Sequence, residues 1–300
     1  MISGISTHVF LPQRLTTTLL DALRDGGARA IELFSARWHF DSGDRQQQRE
    51  IAAWFRSNDV AATLHAPLST DSHFSRHAGP DINLVDRDKG KRLQAMDEIK
   101  RALGAAEQIA IATCVLHLGN RDDRWDEYVL EHSLTAIEHL KAFAAPLGVT
   151  LLLENLRNDV ATPEHLLEVL NAGHFDSCGI CLDVGHLHVT GTDAAKTFAL
   201  LAGRIGELHL HDNHGAEGSA GDEHLWPVSG TERASTVSTG TMDWPQLYAL
   251  IETLPEGVPG MLEIADTQAG TPSQVTRLAR EVFAHQQRLL EPMRESPRTT

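Results

Sequence analysis

Short apolar runs rich in β-branched residues alternate along the chain with longer amphipathic stretches, and this alternation occurs eight times. A short apolar run bounded by turn residues is typical of a buried strand. We therefore predict eight strands, at residues 4–10, 30–34, 61–67, 114–119, 150–155, 179–185, 205–212 and 260–264.

The stretches between the predicted strands show the apolar spacing of helices. In residues 91–109, apolar side chains from Leu93 to Leu103 recur at intervals of three and four positions. Residues 162–173 begin with a Thr cap followed by Pro and end with Gly, which are start and stop signals of a helix. Eight strand–helix units in one chain of 300 residues predict an α/β fold, a single closed (β/α)8 or TIM barrel.

No shift in composition marks a linker within this series, so we predict one barrel domain over residues 1–290. Residues 291–300 have the composition of a disordered tail. Residues 213–242, after the seventh strand, are rich in Gly, Ser and Thr and show no clear period. Long connections of this kind are usually functional or mobile, and we interpret this one as an insertion over the barrel mouth or a disordered excursion.

The amino-acid composition argues against nucleic acid and membranes as binding partners. The chain has 41 acidic and 26 basic residues and a formal net charge of -15, and a surface of this sign repels nucleic acid. The sequence has no apolar run long enough to span a membrane and no signal peptide at its N-terminus, so we expect a cytoplasmic protein. Three cysteines are too few for a disulfide framework, and we interpret the C-x-x-C pair at residues 178–181 as core.

Polar residues that can bind metals end each of the six strands from the third to the eighth. In a TIM barrel the carboxyl ends of the strands converge on one face, where the active site forms. A buried carboxylate is unfavourable unless it is paired or coordinated. The set comprises His65, His117, Glu154, Asp183 and the nearby His186, His209 and His211, and Glu263.

Some of these residues have a plain structural explanation when each is taken alone. His65 and His117 each fit the pattern of a satisfied core histidine, and Asp183 fits that of a helix cap. Glu154 and Glu263 are harder to explain in this way, because apolar residues directly before them commit them to the interior. The mixture of imidazole and carboxylate suits Zn²⁺, Mn²⁺, Co²⁺ or Fe²⁺, and the lack of nearby thiolates argues against a structural zinc site.

The seventh strand and the loop after it hold the densest group of candidates. A strand repeats every two residues, so Glu207, His209 and His211 share one face, and this parity does not choose between the two histidines. Asp222 and His224 follow in the loop as D-x-H, a spacing that lets one short loop present two ligands.

The order of these residues resembles that of the xylose isomerase-like barrel superfamily. This superfamily includes sugar-phosphate isomerases, ketose 3-epimerases and the abasic-site nuclease endonuclease IV. The similarity covers nearly the whole chain, from TLHAP at residues 63–67 through LHLHDNHG at 208–215 to MLEI at 261–264. As a set, these motifs are specific for the superfamily but not for one activity.

The resemblance implies two alternative sets of metal ligands. The epimerase pattern implies one divalent metal held by Glu154, Asp183, His209 and Glu263, with His186 in contact with the substrate. It places His211 at a neighbouring polar position, where we expect it to contact the substrate as well. The nuclease pattern implies three metals, and this sequence has all nine of the ligands: His65, His117, Glu154, Asp183, His186, His209, Asp222, His224 and Glu263.

The two patterns imply different reactions. In an isomerase or epimerase, Glu154 and Glu263 exchange a proton with opposite sides of a sugar or sugar phosphate while the metal stabilises an enediolate, and His186 contacts a substrate oxygen. In the nuclease, clustered metals activate a water that attacks a phosphodiester. A non-catalytic barrel that binds a metal or sugar ranks below both, because charged groups converging on a barrel mouth usually do chemistry.

The acidic surface favours the isomerase or epimerase over the nuclease, since the sequence has no run of Lys and Arg to hold DNA phosphates. We expect a small sugar or sugar phosphate as partner, with neither nucleic acid nor membrane, and formation of a homo-oligomer stays open. One divalent metal ion per chain is favoured over three. If the substrate carries a phosphate, the candidate cations are Arg37, Arg121 and Arg157.

Overall fold

Eight parallel strands form a closed barrel in which neighbours in the sequence are neighbours in the sheet and the eighth strand pairs with the first. This computed structural model describes residues 1–75, 79–218, 223–227, 240–265 and 271–295. The strands are β1 (Ile2–Ser6), β2 (Ala30–Phe34), β3 (Ala61–His65), β4 (Ile111–Leu116), β5 (Thr150–Glu154), β6 (Gly179–Asp183), β7 (Ile205–Leu210) and β8 (Pro259–Leu262). The predicted (β/α)8 barrel is confirmed, with a strand in each of the eight predicted places.

Helices follow the strands on the outside of the barrel. They are α1 (Thr17–Asp25), α2 (Arg45–Ser57), α3 (Lys89–Leu103), α4 (Glu127–Ala144), α5 (Pro163–Ala172), α6 (Val184–Thr190), α7 (Ala194–Leu200), α8 (Gly215–Gly218), α9 (Trp244–Ile251) and α10 (Pro272–Glu295). Side chains of Asp44, Asp88, Asp126 and Thr162 cap α2 to α5 by accepting hydrogen bonds from first-turn N–H groups. Within the described residues, none of these helices is long and apolar enough to cross a membrane.

Several boundaries differ by a few residues from the predicted ones; β4, for example, is Ile111–Leu116 instead of 114–119. β1 ends at Ser6, because the Ser6 hydroxyl accepts a hydrogen bond from the N–H of His8 and starts a short 3₁₀ helix, Thr7–Phe10. α3 ends at Leu103, and Leu93 at its start is 57% exposed instead of packed in the core. α10 reaches Glu295, five residues beyond the predicted domain end at 290. Residues 296–300 of the predicted tail lie outside the described residues.

The inside of the barrel changes from apolar to polar along the strands. Val115, Leu152 and Cys181 form a small apolar cluster that is separate from the main core. Because strand residues alternate between faces, the side chains two positions further along also face the interior. These are His117, Glu154 and Asp183. The barrel therefore carries its polar side chains toward the carboxyl ends of the strands.

All three cysteines are buried free thiols. Burial raises the pKa of each of them above the ordinary value for a thiol. The interpretation of the C-x-x-C pair, Cys178 and Cys181, as core residues is confirmed.

Buried Asp212 ties the end of β7 to α9. One of its carboxylate oxygens accepts hydrogen bonds from the backbone N–H groups of Asn213 at 2.8 Å and Met242 at 3.2 Å. The other accepts the indole N–H of Trp244 at 2.9 Å. Burial raises the pKa of Asp212 above its ordinary value, although these donors favour the charged form. The side chain therefore connects two segments that are distant in sequence.

Replacing Asp212 with Ala is expected to lower the free energy of unfolding by about 3 kcal/mol, because it leaves the buried indole N–H of Trp244 and two backbone N–H groups without their acceptor. Urea denaturation followed by tryptophan fluorescence measures the change. Asp243→Ala is the matched control, since Asp243 is exposed and only caps α9, and this loss should be about 1 kcal/mol. Equal losses for the two variants would contradict the role of Asp212.

Candidate metal centre

The carboxyl ends of β5 to β8 bring four predicted ligands together. The Nδ1 atom of His209 lies 3.2 Å from Glu154 Oε1, 3.5 Å from Glu263 Oε2 and 4.0 Å from Asp183 Oδ2. One candidate ligand atom from each residue lies within 4.8 Å of those of the other three, and all four side chains are buried. We call Glu154, Asp183, His209 and Glu263 the four-ligand group.

Glu154 also belongs to a second group of candidate ligands. Its Oε2 atom lies 2.8 Å from His117 Nε2 and 3.3 Å from His65 Nε2. Burial by itself would raise the pKa of Glu154, but the imidazoles of His209 and His117 outweigh burial and hold the pKa well below the ordinary value. Glu154 is therefore ionised at neutral pH, and its two oxygens face two groups of imidazoles.

Three further imidazoles form a third group, made of His186, His211 and His224. In each of them Nδ1 lies against a backbone carbonyl oxygen, at 2.9, 3.0 and 3.0 Å respectively. A carbonyl oxygen only accepts, so each Nδ1 donates a hydrogen to it. Such bonds orient imidazoles that ligate metals. The accepting carbonyls belong to Asn155, Glu223 and Glu263.

Asn155 and Asp183 lock the ends of β5 and β6 to each other. The Asn155 amide accepts a hydrogen bond from the backbone N–H of Asp183 at 2.8 Å and donates one to its carbonyl at 2.9 Å. One Asp183 carboxylate oxygen accepts from the backbone N–H of His186 at 2.6 Å and so caps α6. The helix-cap explanation and the ligand explanation of Asp183 therefore apply to the same side chain.

A second layer of buried polar side chains lies beneath the four-ligand group, further into the barrel. The Nε2 atom of His209 lies 3.2 Å from Glu32 Oε2. Glu207 accepts hydrogen bonds from the hydroxyls of Thr113 at 2.8 Å and Thr63 at 3.3 Å. Burial, together with the neighbouring Glu32 carboxylate, raises the pKa of Glu207 to about 8. Glu207 is therefore mostly protonated at neutral pH.

Two imidazoles in the centre hold protons strongly. Burial would lower the pKa of His65, but the Glu154 carboxylate, 3.3 Å from Nε2 of His65, and the charge of Glu32 outweigh it and raise the pKa to about 9. Burial likewise opposes protonation of His209, yet the surrounding acidic groups raise its pKa well above the ordinary value. Positively charged imidazoles thus balance part of the carboxylate charge when no cation is bound.

A cavity of about 470 Å³ opens onto these groups, which is a size typical of small-molecule sites. Phe34, Leu68 and Ile82 supply apolar parts of its wall. The members of the three ligand groups that border it are Glu154, Glu263, His117, His186 and His224. Both glutamates of the four-ligand group therefore face the same space.

The structure brings two of the three predicted phosphate-contacting arginines to the cavity. Arg121 and Arg157 are part of its lining. Arg37 instead forms an ion pair with Glu98 on α3 and is not among the described residues that line the cavity, so it does not reach the site.

His211, predicted at a position that contacts substrate, is fully buried and not part of the described lining of the cavity. Its Nε2 atom lies 3.1 Å from Asp183 Oδ1, and its ring stacks on that of His224 with 3.8 Å between centroids. His211 therefore contacts two residues of the site, Asp183 and His224, and not the described lining of the cavity. Asp222 and much of the predicted insertion at 213–242 lie outside the described residues.

Sequence reasoning missed two residues of the site. His8 borders the cavity and forms a possible ligand group with His224 and Glu263, and burial lowers its pKa to about 4. Glu32 lies on β2 and faces His209. His8 was identifiable from the sequence, because it follows the first strand just as the identified residues follow their own strands.

Comparison with known sequences identifies the family. The profile of the xylose isomerase-like TIM barrel family matches residues 20–286. The chain belongs to this family. Among its relatives, the uncharacterized protein MJ1311 of Methanocaldococcus jannaschii is 26% identical over 231 residues, which are 74% of this chain and 73% of MJ1311. The probable endonuclease 4 of Haloquadratum walsbyi is 26% identical over 166 residues, which are 49% of this chain and 57% of that protein.

Solved structures of similar shape agree with the xylose isomerase-like fold. A D-tagatose 3-epimerase-like protein matches with a TM-score of 0.73 at 22% identity, over 98% of this chain and 99% of that one. The IOLI protein with a binding zinc atom matches with a TM-score of 0.75 at 17% identity, over 97% of this chain and 99% of that one. Likeness at these identities shows the fold.

Binding of Zn²⁺ is expected to release protons at neutral pH. His65, with a pKa of about 9, and His209 are protonated in the metal-free site, and a nearby divalent cation opposes both protons. Affinity for Zn²⁺ should therefore rise as the pH increases from about 6 to about 9. Calorimetric titrations in two buffers of different ionisation enthalpy count the protons, and His65→Gln should release about one fewer. Equal release by the variant and the original chain would refute this assignment.

Proposed function

We propose that the chain is a divalent-metal-dependent isomerase or epimerase that acts on a small sugar or sugar phosphate by proton transfer. One observation carries the proposal. Glu154 at the end of β5 and Glu263 after β8 belong to the same four-ligand group and border the same cavity. Two carboxylates that face one small cavity can remove a proton from a substrate and return one to it.

The residues present fit a divalent cation. Three carboxylates and one imidazole are a donor set that suits Mn²⁺, Zn²⁺, Co²⁺ or Fe²⁺. The imidazoles of His65, His117 and His209 lie close to the Glu154 carboxylate, and a neutral imidazole is itself a metal ligand. A cation bound by the four-ligand group would polarise a substrate carbonyl and acidify the adjacent C–H bond.

The two glutamates are prepared to accept protons. Burial would raise the pKa of Glu263, but His209 and His224 outweigh it and hold the pKa well below the ordinary value, as His209 and His117 do for Glu154. Both carboxylates are therefore ionised at neutral pH. They extend from different strands and approach a bound substrate from different directions. The carboxylate that removes the substrate proton becomes a carboxylic acid and can return that proton, while the other carboxylate must first take up a proton before it can donate one from its own side.

His186 is the candidate for orienting the substrate. It borders the cavity, and its Nδ1–H donates to the carbonyl of Asn155, which fixes the ring and leaves Nε2 as an acceptor. An imidazole held in this way can accept a hydrogen bond from a sugar hydroxyl. The hydrogen bond between the Thr190 hydroxyl and the His186 carbonyl, at 2.8 Å, adds to the fixed position of this turn.

The charge of the cavity rim favours a substrate with an anionic end. Arg121 and Arg157 border the cavity, and guanidinium groups bind phosphate through paired hydrogen bonds. The chain as a whole has a net charge of -15, which opposes the approach of a polyanion. A small sugar phosphate carries few charges and meets the arginines locally. The similarity in fold to a D-tagatose 3-epimerase-like protein and to a zinc-containing IOLI protein supports the same class of substrate and cofactor.

Incubation of the Mn²⁺-loaded protein in heavy water with a panel of ketoses and ketose phosphates should introduce deuterium at the carbon next to the carbonyl. Mass spectrometry and proton NMR measure the incorporation. Glu154→Gln and Glu263→Gln should each slow it by about 100-fold or more, because each removes one partner in the proton transfer. Glu98→Gln is the control and should keep the original rate, since Glu98 pairs with Arg37 away from the cavity.

The phosphate preference has its own readout in the same assay. Arg157→Ala should raise KM for ketose phosphates and leave KM for the unphosphorylated ketoses unchanged. Absence of exchange into every ketose of the panel, from protein that holds a metal, would count against the isomerase or epimerase.

A second candidate function is phosphodiester hydrolysis, and one observation favours it. The three ligand groups adjoin one another: Glu154 is shared by the first two, and Asp183 touches both His209 and His211. Adjoining groups of this kind can hold several metals that act together on a phosphodiester. Three relatives in sequence are named probable endonuclease 4.

Metal content and DNA incision separate the two candidates. Elemental analysis of protein purified without added ions should give about one divalent metal per chain for the isomerase or epimerase, and about three for the hydrolase. A duplex with a single abasic site should remain intact after incubation with the metal-loaded protein. Three metals per chain together with efficient incision would transfer the assignment to phosphodiester hydrolysis.

A further inference from the structure

The ring of His209 connects two layers of acidic side chains. Its Nδ1 atom faces the carboxylates of the four-ligand group, of which Glu154 is nearest at 3.2 Å. Its Nε2 atom points into the barrel, 3.2 Å from Glu32 Oε2. This orientation differs from that of His186, His211 and His224, whose Nδ1 atoms lie against backbone carbonyls. The ring of His209 is therefore held by a carboxylate at Nε2, whereas the rings of the other three histidines are held by backbone carbonyls at Nδ1.

Glu32 is placed so that its carboxylate contacts the ring of His209. It lies on β2 and is fully buried, and its second oxygen, Oε1, has no hydrogen-bond partner among the described residues. A buried carboxylate is unfavourable unless a partner compensates its desolvation. Its hydrogen-bonding partner is the imidazole of His209.

Glu207, the other acidic residue of the lower layer, has different partners. It is as deeply buried as Glu32, but its two oxygens accept hydrogen bonds from the hydroxyls of Thr63 and Thr113. No hydrogen bond joins Glu207 to His209 among the described residues. The two glutamates therefore differ in the feature that matters here, which is direct contact with the imidazole.

We propose that Glu32 is a positioning residue for the metal centre: its carboxylate accepts the Nε2–H of His209, which sets the tautomer and the ring plane so that the Nδ1 lone pair points at the cation. A carboxylate behind a ligating imidazole also strengthens it as a donor. Glu32 is not among the described residues that line the cavity, so in this proposal it acts through His209. The proposal rests on the metal site proposed above, but not on which reaction the site performs.

The same residues allow one competing interpretation. Ligand atoms of Glu32, Glu207 and His209 lie within 4.8 Å of one another, so this layer is a candidate for a second buried cation. Two contacts favour the positioning role. Both Glu207 oxygens already accept hydroxyl hydrogens, and Nε2 of His209 cannot both donate to Glu32 and bind a cation.

Zn²⁺ affinity, measured by competition with a chromogenic chelator on the full chain, tests the proposal. Glu32→Ala is expected to weaken binding by about 100-fold and Glu32→Gln by about 10-fold, because Gln keeps an uncharged acceptor for Nε2–H. Glu207→Gln is the matched control from the same layer and should stay within about threefold of the original chain. Circular dichroism confirms that each variant is folded, and Glu32→Gln serves if Glu32→Ala is not.

A spectroscopic signature separates positioning from a general loss of stability. With ¹¹³Cd²⁺ bound and the histidines labelled with ¹⁵N, the coupling to cadmium should appear at Nδ1 of His209, while Nε2 carries the hydrogen. In Glu32→Ala this coupling should weaken or move to Nε2.

Persistence of the coupling at Nδ1 in Glu32→Ala, with unchanged Zn²⁺ affinity, would overturn the positioning role alone. Coupling at Nε2 in the original chain would overturn it in favour of a cation in the lower layer. Failure of the original chain to bind either metal would overturn the metal centre itself.

Discussion

The interaction on which this structure depends is the compensation of carboxylates buried at one end of a closed barrel. Glu154, Asp183 and Glu263 are 1%, 0% and 4% exposed, and water therefore stabilises little of their charge. Carboxylates without such hydration persist only beside positive or hydrogen-donating partners. The chain supplies imidazoles for this purpose, and the raised pKa values of His65 and His209 show how strongly the acids attract protons. A divalent cation bound there, as proposed, would replace those protons with a more concentrated charge.

The fold creates this situation through simple geometry. Alternation along parallel strands places an apolar side chain and then an acid or imidazole on the inner face, so the interior becomes polar toward the mouth. Asn155 fixes the relative height of β5 and β6, and Asp183 connects the centre to the first turn of α6. The site therefore rests on strands and a helix terminus. Rigid support of this kind keeps several ligands at a common distance from one point.

Much of this could be predicted from the sequence, because the periodicity of the strands decides which side chains face inward. Glu154 and Glu263 were identifiable from the apolar residues before them. Glu32 also follows apolar residues, but its contact with His209 depends on closure of the barrel, which brings β2 and β7 face to face across the interior. The orientation of each imidazole ring could not be predicted from the sequence either. It depends on backbone carbonyls of other segments, such as that of Glu223. Local pattern thus predicts which residues reach the centre, and long-range contacts determine their chemical state.

The central claim is that Glu154, Asp183, His209 and Glu263 jointly hold one divalent cation. The most direct measurement is a crystal structure of the Mn²⁺- or Zn²⁺-loaded protein with anomalous diffraction recorded at the absorption edge of the metal. The account predicts a strong anomalous peak about 2.0–2.3 Å from Nδ1 of His209 and from one oxygen of each of the three acids. A fully loaded crystal with no peak at that position, or with the three carboxylates turned away from one another, would contradict it.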